Sequence, residues 1–143
     1  MIAWSILAFN NKLYWVGEGM SVGEDRTKAE SLIKRLRASG GTALYDAIAG
    51  AYTHLMEHPA ENRIAAVVVL TDGKDTNRKL KLPDLLGQIA VSETSTVRVF
   101  PIGYGSQVNQ AVMQQIAEST KVNAYQGDPA NIQKIFFDIS TYF

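Results

Sequence analysis

The chain contains no cysteine. Disulfides, thiolate nucleophiles and Cys-ligated zinc are therefore excluded, and cysteine usage leaves the redox compartment open. Net charge is also absent, since Lys and Arg number 14 and so do Asp and Glu. A balanced chain lacks the electrostatic footprint of a DNA- or RNA-binding protein. The densest basic run, Arg78-Lys79-Leu80-Lys81, reads as a solvated loop or helix start. No apolar stretch is long enough for membrane insertion: Met1 to Phe9 is short and has no basic flank, and it reads as a buried strand. Any export signal would lie outside this sequence. There is no phosphate loop and no nucleophile elbow, and Gly103-Tyr104-Gly105-Ser106-Gln107-Val108 is half a dinucleotide fingerprint, with Val108 where a third small residue belongs.

What is present is a single domain of 143 residues, 46% hydrophobic and 20% charged, enough to bury a real core. Ala3–Phe9 and Lys12–Val16 flank Asn10-Asn11, the pattern of a β-hairpin with a left-handed turn. From Arg26 to Leu36 the period becomes helical, with Ala29, Ile33 and Leu36 on one stripe and Gly40-Gly41 as its stop. Leu44, Ile48, Ala51 and Leu55 mark a second helix closed by Pro59. Ile64–Leu70 has the β-branched character of a central parallel strand buried on both faces.

Pro83 opens a helix buried through Leu85, Leu86, Ile89 and Ala90. Val97–Ile102 is the next strand, where Pro101 implies an amide the ladder does not need. Asn109–Ser119 is helical through Val112, Ile116 and Ala117, and Val122–Tyr125 is a short strand. Asp128-Pro129 then caps a last helix with the stripe Ile132, Ile135, Phe136 and Ile139. Strands alternating with helices predict a doubly wound, mainly parallel α/β sheet with an antiparallel edge hairpin.

The chemistry-bearing residues are few. Ala66-Val67-Val68-Val69-Leu70-Thr71-Asp72-Gly73 ends an apolar strand on a carboxylate, at the edge where open α/β sheets collect ligands. Gly40-Gly41-Thr42 opens the helix beginning at Leu44 with a hydroxyl. A strand-end turn at Asp72-Gly73 and an N-cap at Thr42 are the plain readings of each alone. Together they place two oxygen ligands for a hard cation at one sheet edge. Asp46 and Asp75 fall near the same crevice, with surface solvation as their simpler role.

A rival constellation is His54-Leu55-Met56-Glu57-His58, which fits the H-x-x-E-H pattern of a zinc hydrolase. Two histidines at i and i+4 can reach one zinc, with Glu57 as base. The motif occupies the last helical turn before Pro59, where a solvated helix end is the simpler explanation.

Gly40-Gly41-Thr42-Ala43-Leu44-Tyr45-Asp46-Ala47-Ile48 and Val67 to Thr76 resemble the second and third segments of the von Willebrand factor A-type (VWA) domain. Val99 to Gly105 and Asp138 to Phe143 resemble its later segments, so the likeness covers essentially the whole chain. It is strongest to bacterial VWA domains of extracellular solute-binding-like proteins. The resemblance implies a Rossmann-like fold and a non-enzymatic adhesion and protein-interaction module, extracytoplasmic in location.

It also implies a metal-ion-dependent adhesion site for Mg²⁺ or Mn²⁺, at which an acidic ligand or protein completes the metal shell. Thr42 and Asp72 match the family's threonine and aspartate, with Gly41 and Gly73 beside them in the ligand-binding loops. The third part, an Asp-x-Ser-x-Ser segment, has no match, since Met1 falls near the family's second strand. One hydroxyl and one carboxylate are a poor cage for a hard ion, so this chain alone is expected to bind no cofactor metal appreciably. The family's first strand lies between those matching residues 3–9 and 64–70. Without it these strands must pair directly, or another chain must fill the gap. A strand-mediated homodimer or a partner segment is the expected result. A metal-independent assembly domain using the same edge is the alternative to cation-dependent binding.

Overall fold

The computed structural model describes residues 3–21, 23–59, 61–77 and 79–142. Strand β1 (Ala3–Phe9) pairs antiparallel with β2 (Leu13–Ser21), with register shifts around Ile6. The hairpin forms as expected, but its turn is not left-handed: neither Asn10 nor Asn11 has positive φ. Phe9 pairs with Leu13, and across the loop Asn10 Oδ1 accepts the Lys12 amide at 2.8 Å. A side-chain-closed turn thus replaces the left-handed pair.

Helix α1 (Arg26–Lys34) packs on β2, and only Ala29 of the expected stripe is buried. Ile33 and Leu36 are exposed, because α1 presents Leu32 rather than Ile33 to the strand at Gly17. The helix ends well before Gly40-Gly41, so those glycines do not stop it. Gly40 instead takes a φ of 71° on the approach to the next helix.

Helix α2 (Leu44–Glu57) buries Leu44, Ala47, Ile48 and Tyr52, as its 3.6-residue period demands. It packs against both β1 and the strand β3 (Ala66–Thr71). Helix α3 (Leu82–Ile89) begins with Pro83 in its first turn and buries Leu85 and Ile89, while Ala90 is its exposed C-cap. Lys81 is the N-cap of α3 and Lys79 is exposed; Arg78 of the basic run lies outside the described residues. Strand β4 (Arg98–Tyr104), helix α4 (Gln110–Ser119), β5 (Tyr125–Gly127) and α5 (Ile132–Ser140) complete the chain.

The parallel sheet has the order β3-β4-β5, so β4 is central. Pro101 is tolerated there because β5 pairs only from Ile102 onward, and no strand faces Pro101 on that side. The fifth strand lies later than the expected 122–125 span, with Val122 buried ahead of it. On one face of the sheet Val67, Val69 and Val99 pack with Leu44, Ile48, Leu85, Ile89 and Ile116. On the other, Phe100 and Ile102 pack with Ile135 and Ile139 of α5. Helices thus cover both faces, the doubly wound arrangement.

Two expectations fail at the end of the chain. Asp128 does not cap α5, whose N-cap is Asn131; its Oδ1 accepts the Ala130 and Asn131 amides in a turn that precedes the helix. Phe136 is exposed, because Ile135 and Ile139 face the sheet.

The larger departure concerns β3. It is not a doubly buried central strand: Val67, Val69 and Thr71 are buried, whereas Val68 and Leu70 on the alternate face are exposed. Among the described residues β3 pairs with β4 alone, and no ladder joins it to β1. Direct pairing of β1 and β3 is therefore absent. Their carboxyl ends nevertheless converge on the start of α2. Asn10 O accepts the Ala43 amide at 2.6 Å, and a methyl on Gly73 would sit 3.6 Å from Thr42 Oγ1.

Candidate functional site

The site forms where β3 runs out. Thr71 is buried in the strand, and its Oγ1 lies 3.4 Å from the Gly73 amide, turning the chain outward. Asp72 is exposed, and its carboxylate has no hydrogen-bond or ion-pair partner among the described residues. The loop after it is fastened to the start of α2 by four hydrogen bonds. Thr42 N donates to Thr76 Oγ1 at 2.7 Å, while Thr76 N donates to Thr42 O at 2.8 Å. The Tyr45 amide donates to Asp75 Oδ1 at 3.3 Å. Asn77 Nδ2 donates to Asp46 Oδ2.

These contacts explain the glycines. A side chain at Gly41 would place Cβ 2.6 Å from Thr76 Oγ1, so only glycine permits the approach. Gly73 faces Thr42 Oγ1 directly. Gly41, Thr42, Asp72 and Gly73 are thus assembled at one edge by strand β3 and helix α2. Thr42 is not the helix N-cap; that position is Ala43, which carries no capping side chain. The Thr42 hydroxyl is therefore free of the capping role.

Asp46 and Asp75 are not simply solvated. Asp75 takes over the capping role, accepting from an amide in the first turn of α2 across thirty positions of sequence. Its carboxyl is raised from the ordinary aspartate value, chiefly by burial and in part by the charge of Asp46, against the lowering effect of the Tyr45 and Leu44 amides. Burial also raises the Tyr45 phenol, with the Asp75 charge adding to it. A crevice of about 180 Å³ opens alongside, bordered by Tyr45, Gly73, Lys74, Asp75, Asn109 and Met113. Sequence reasoning missed Thr76 and Asn77. The visible signal was a run of oxygen-bearing residues after Asp72, but only the fold reveals what each one meets.

As a metal cradle the arrangement is partial. Among the described residues no group of three or more His, Asp or Glu side chains is placed to hold a metal ion. Thr42 and Asp72 offer one hydroxyl and one carboxylate, short of the oxygen shell magnesium requires.

His54, Glu57 and His58 do not form a zinc centre either. The rings of Trp15, His54 and His58 stack in series, each pair with centroids 4.5 Å apart. His58 Nδ1 lies 2.9 Å from the His54 carbonyl, to which it donates. The ring pairs are tilted by 39° and 33°, and these side chains make no group of three placed to hold a metal ion among the described residues.

The fold and this edge define a doubly wound α/β domain, with the loops after β3 and before α2 meeting at the carboxyl end of its parallel sheet. The von Willebrand factor type A domain matches residues 4–137, and the chain belongs to that family, a family of protein-interaction modules. No curated protein matches the sequence. Among solved structures, the chain is similar to a von Willebrand factor type A protein from Catenulispora acidiphila, with TM-score 0.73, 23% identity and coverage of 95% of this chain and 32% of that one. It is similar to an aerotolerance-related membrane protein from Bacteroides fragilis, with TM-score 0.69, 16% identity and coverage of 94% and 76%. It is also similar to proximal thread matrix protein 1 of the mussel byssus with a zinc-occupied MIDAS (metal-ion-dependent adhesion site) motif, with TM-score 0.71, 20% identity and coverage of 96% and 33%. At these identities the likeness is one of fold. The chain spans about a third of the Catenulispora protein. No helix among the described residues is long and apolar enough to cross a membrane.

Proposed function

We propose that this chain is a non-enzymatic, extracytoplasmic binding module whose recognition surface is Gly41, Thr42, Asp72 and Gly73. The observation that carries the reading is the approach of the Thr42 hydroxyl to Gly73, next to an Asp72 carboxylate with no partner of its own. In this reading Thr42 and Asp72 are two parts of a cation site for Mg²⁺ or Mn²⁺. An acidic ligand or the acidic side chain of a protein would supply further oxygens, so recognition is a coordination event. With the Asp-x-Ser-x-Ser part missing, the chain alone holds the ion weakly. Titration with Mn²⁺ followed by paramagnetic resonance tests this: weak binding or none is expected. Tight stoichiometric binding that disappears in Asp72→Ala would overturn it.

A second reading is favoured by the strand edges. Both β1 and β3 carry edges unpaired among the described residues, and unpaired edges promote association. The domain would then serve metal-independent assembly, either with another protein or as a strand-mediated homodimer. Sedimentation in the presence of EDTA separates the two readings, because only assembly survives chelation.

A further inference from the structure

We propose that a second site, at the opposite end of the parallel sheet from Asp72, captures the carboxyl-terminal apolar residue of a partner polypeptide. The site is a groove of about 310 Å³ bordered by Arg63, Ile64, Thr96, Arg98, Phe100 and Tyr142. Arg63 lies just before β3, and Arg98 opens β4 in register with Ala66, the first residue of β3. The groove therefore sits at the amino ends of two parallel strands, whereas Asp72 follows the carboxyl end of β3. It is independent of the reading given to the Asp72 edge.

The charge of the groove is of one sign. Neither arginine has an acidic partner among the described residues, in a chain whose formal charges balance. Arg63 is exposed and Arg98 is half-buried. Arg98 is also held in place: its Nη1 donates to the Thr120 carbonyl at 2.6 Å, and Thr120 is itself fully buried. A guanidinium carries several further N–H donors, and those of Arg98 have no partner among the described residues. Withdrawing a cation from water without a counter-charge is costly, and an anion in the groove would offset that cost. The planar fork of a guanidinium fits the two oxygens of a carboxylate.

The rest of the groove is apolar. Phe100 is fully buried, the Tyr142 ring stands edge-on to it with centroids 5.0 Å apart, and Ile64 is 61% exposed. Inorganic phosphate gains nothing from such a wall. A carboxylate joined to an apolar body uses both halves, with its oxygens toward the arginines and its hydrocarbon against Phe100 and Ile64.

The open border decides between a small acid and a chain end. Ile64, Thr96 and Tyr142 are all exposed. A small-molecule site buries most of its ligand. The last residue of a polypeptide instead needs a way out for the residues before it, and capture of a terminal carboxylate is a recurring mode of peptide recognition.

The test uses the whole chain in EDTA, so that cation-dependent binding at the Asp72 edge is silent. The probe is a short glycine-serine peptide ending in phenylalanine with a free carboxylate, followed by fluorescence anisotropy and by nuclear magnetic resonance. Saturable equimolar binding is expected, with shifts at Ile64, Ala66 and Tyr142, and it should weaken as salt is added. Amidation of the peptide should weaken binding by roughly tenfold or more, because it removes a charge-assisted contact. Arg63→Glu should weaken it at least as much, at an exposed position whose folding is not at issue. For Arg98→Gln, urea unfolding measured alongside separates loss of the Thr120 bond from loss of the ligand. Equal binding of the amidated peptide, unchanged affinity in Arg63→Glu, or shifts confined to Thr42 and Asp72 would overturn the proposal. Inorganic phosphate or hydrocinnamate binding as tightly as the peptide would overturn the assignment to a chain end. Absence of binding by the peptide at every salt concentration removes the site.

Discussion

Asp75 caps a helix it does not belong to: its carboxylate accepts the backbone amide of Tyr45, at the start of α2, from the loop that follows β3. Ala43 occupies the N-cap and offers no side-chain acceptor, so the loop supplies what the helix lacks. The position of Asp72 therefore depends on the same short segment that secures α2.

Asp75→Ala and Asp75→Asn should diverge. Alanine removes the acceptor, at a cost of about 1 kcal/mol. Asparagine keeps an acceptor oxygen and carries no charge to desolvate. The Asp75 carboxyl is raised in the folded state, so folding favours its protonated form. Its stabilising contribution is complete below the unfolded aspartate value and is lost as pH rises through the raised one. Wild-type stability should therefore fall across that acidic window, and the Asn variant should lack this component. Urea unfolding from pH 3 to pH 7 measures both effects; an unchanged slope in Asp75→Asn contradicts the assignment.

Gly41→Ala tests the close approach of loop and helix. The new methyl would lie 2.6 Å from Thr76 Oγ1, so the two segments must separate. A loss of about 1–3 kcal/mol is expected by analogy with overpacking. Combining it with Thr76→Ala, which removes the obstructing hydroxyl, should recover part of that loss. Thermal unfolding of the two single variants and the double variant gives the coupling directly.

The stacked rings of Trp15, His54 and His58 predict a zinc content that is independent of the histidines. Elemental analysis of the purified protein and of a His54→Ala, His58→Ala variant should give the same value. Stoichiometric zinc in the wild type that is lost in the variant would revive the hydrolase reading.

Much of the fold was legible because periodicity is a local property. Leu44, Ile48, Ala51 and Leu55 announce α2, and the hairpin shows in two β-favouring runs around Asn10-Asn11. Thr42 and Asp72 stood out because a hydroxyl before a helix and a carboxylate at a strand end are visible in one dimension. The exposed row on β3 was not legible. Val67 to Leu70 reads the same whether one face is covered or both, since apolar character does not say which neighbours are present. Likewise, Asp128-Pro129 has the grammar of a helix start, yet the chain makes one more turn before Asn131.

The sequence by itself determined the α/β class, the family and the pairing of a hydroxyl at Thr42 with a carboxylate at Asp72 as candidate site groups, because each depends on residue type and spacing along the chain. Only the tertiary structure decided that β1 and β3 share no ladder among the described residues although one helix packs on both, that Asp75 and Asp46 are occupied in holding a loop, and that the His54 and His58 rings pack against each other. Those outcomes depend on which groups meet across the fold. Partnership between residues thirty positions apart is settled by packing and hydrogen-bond satisfaction, not by local pattern.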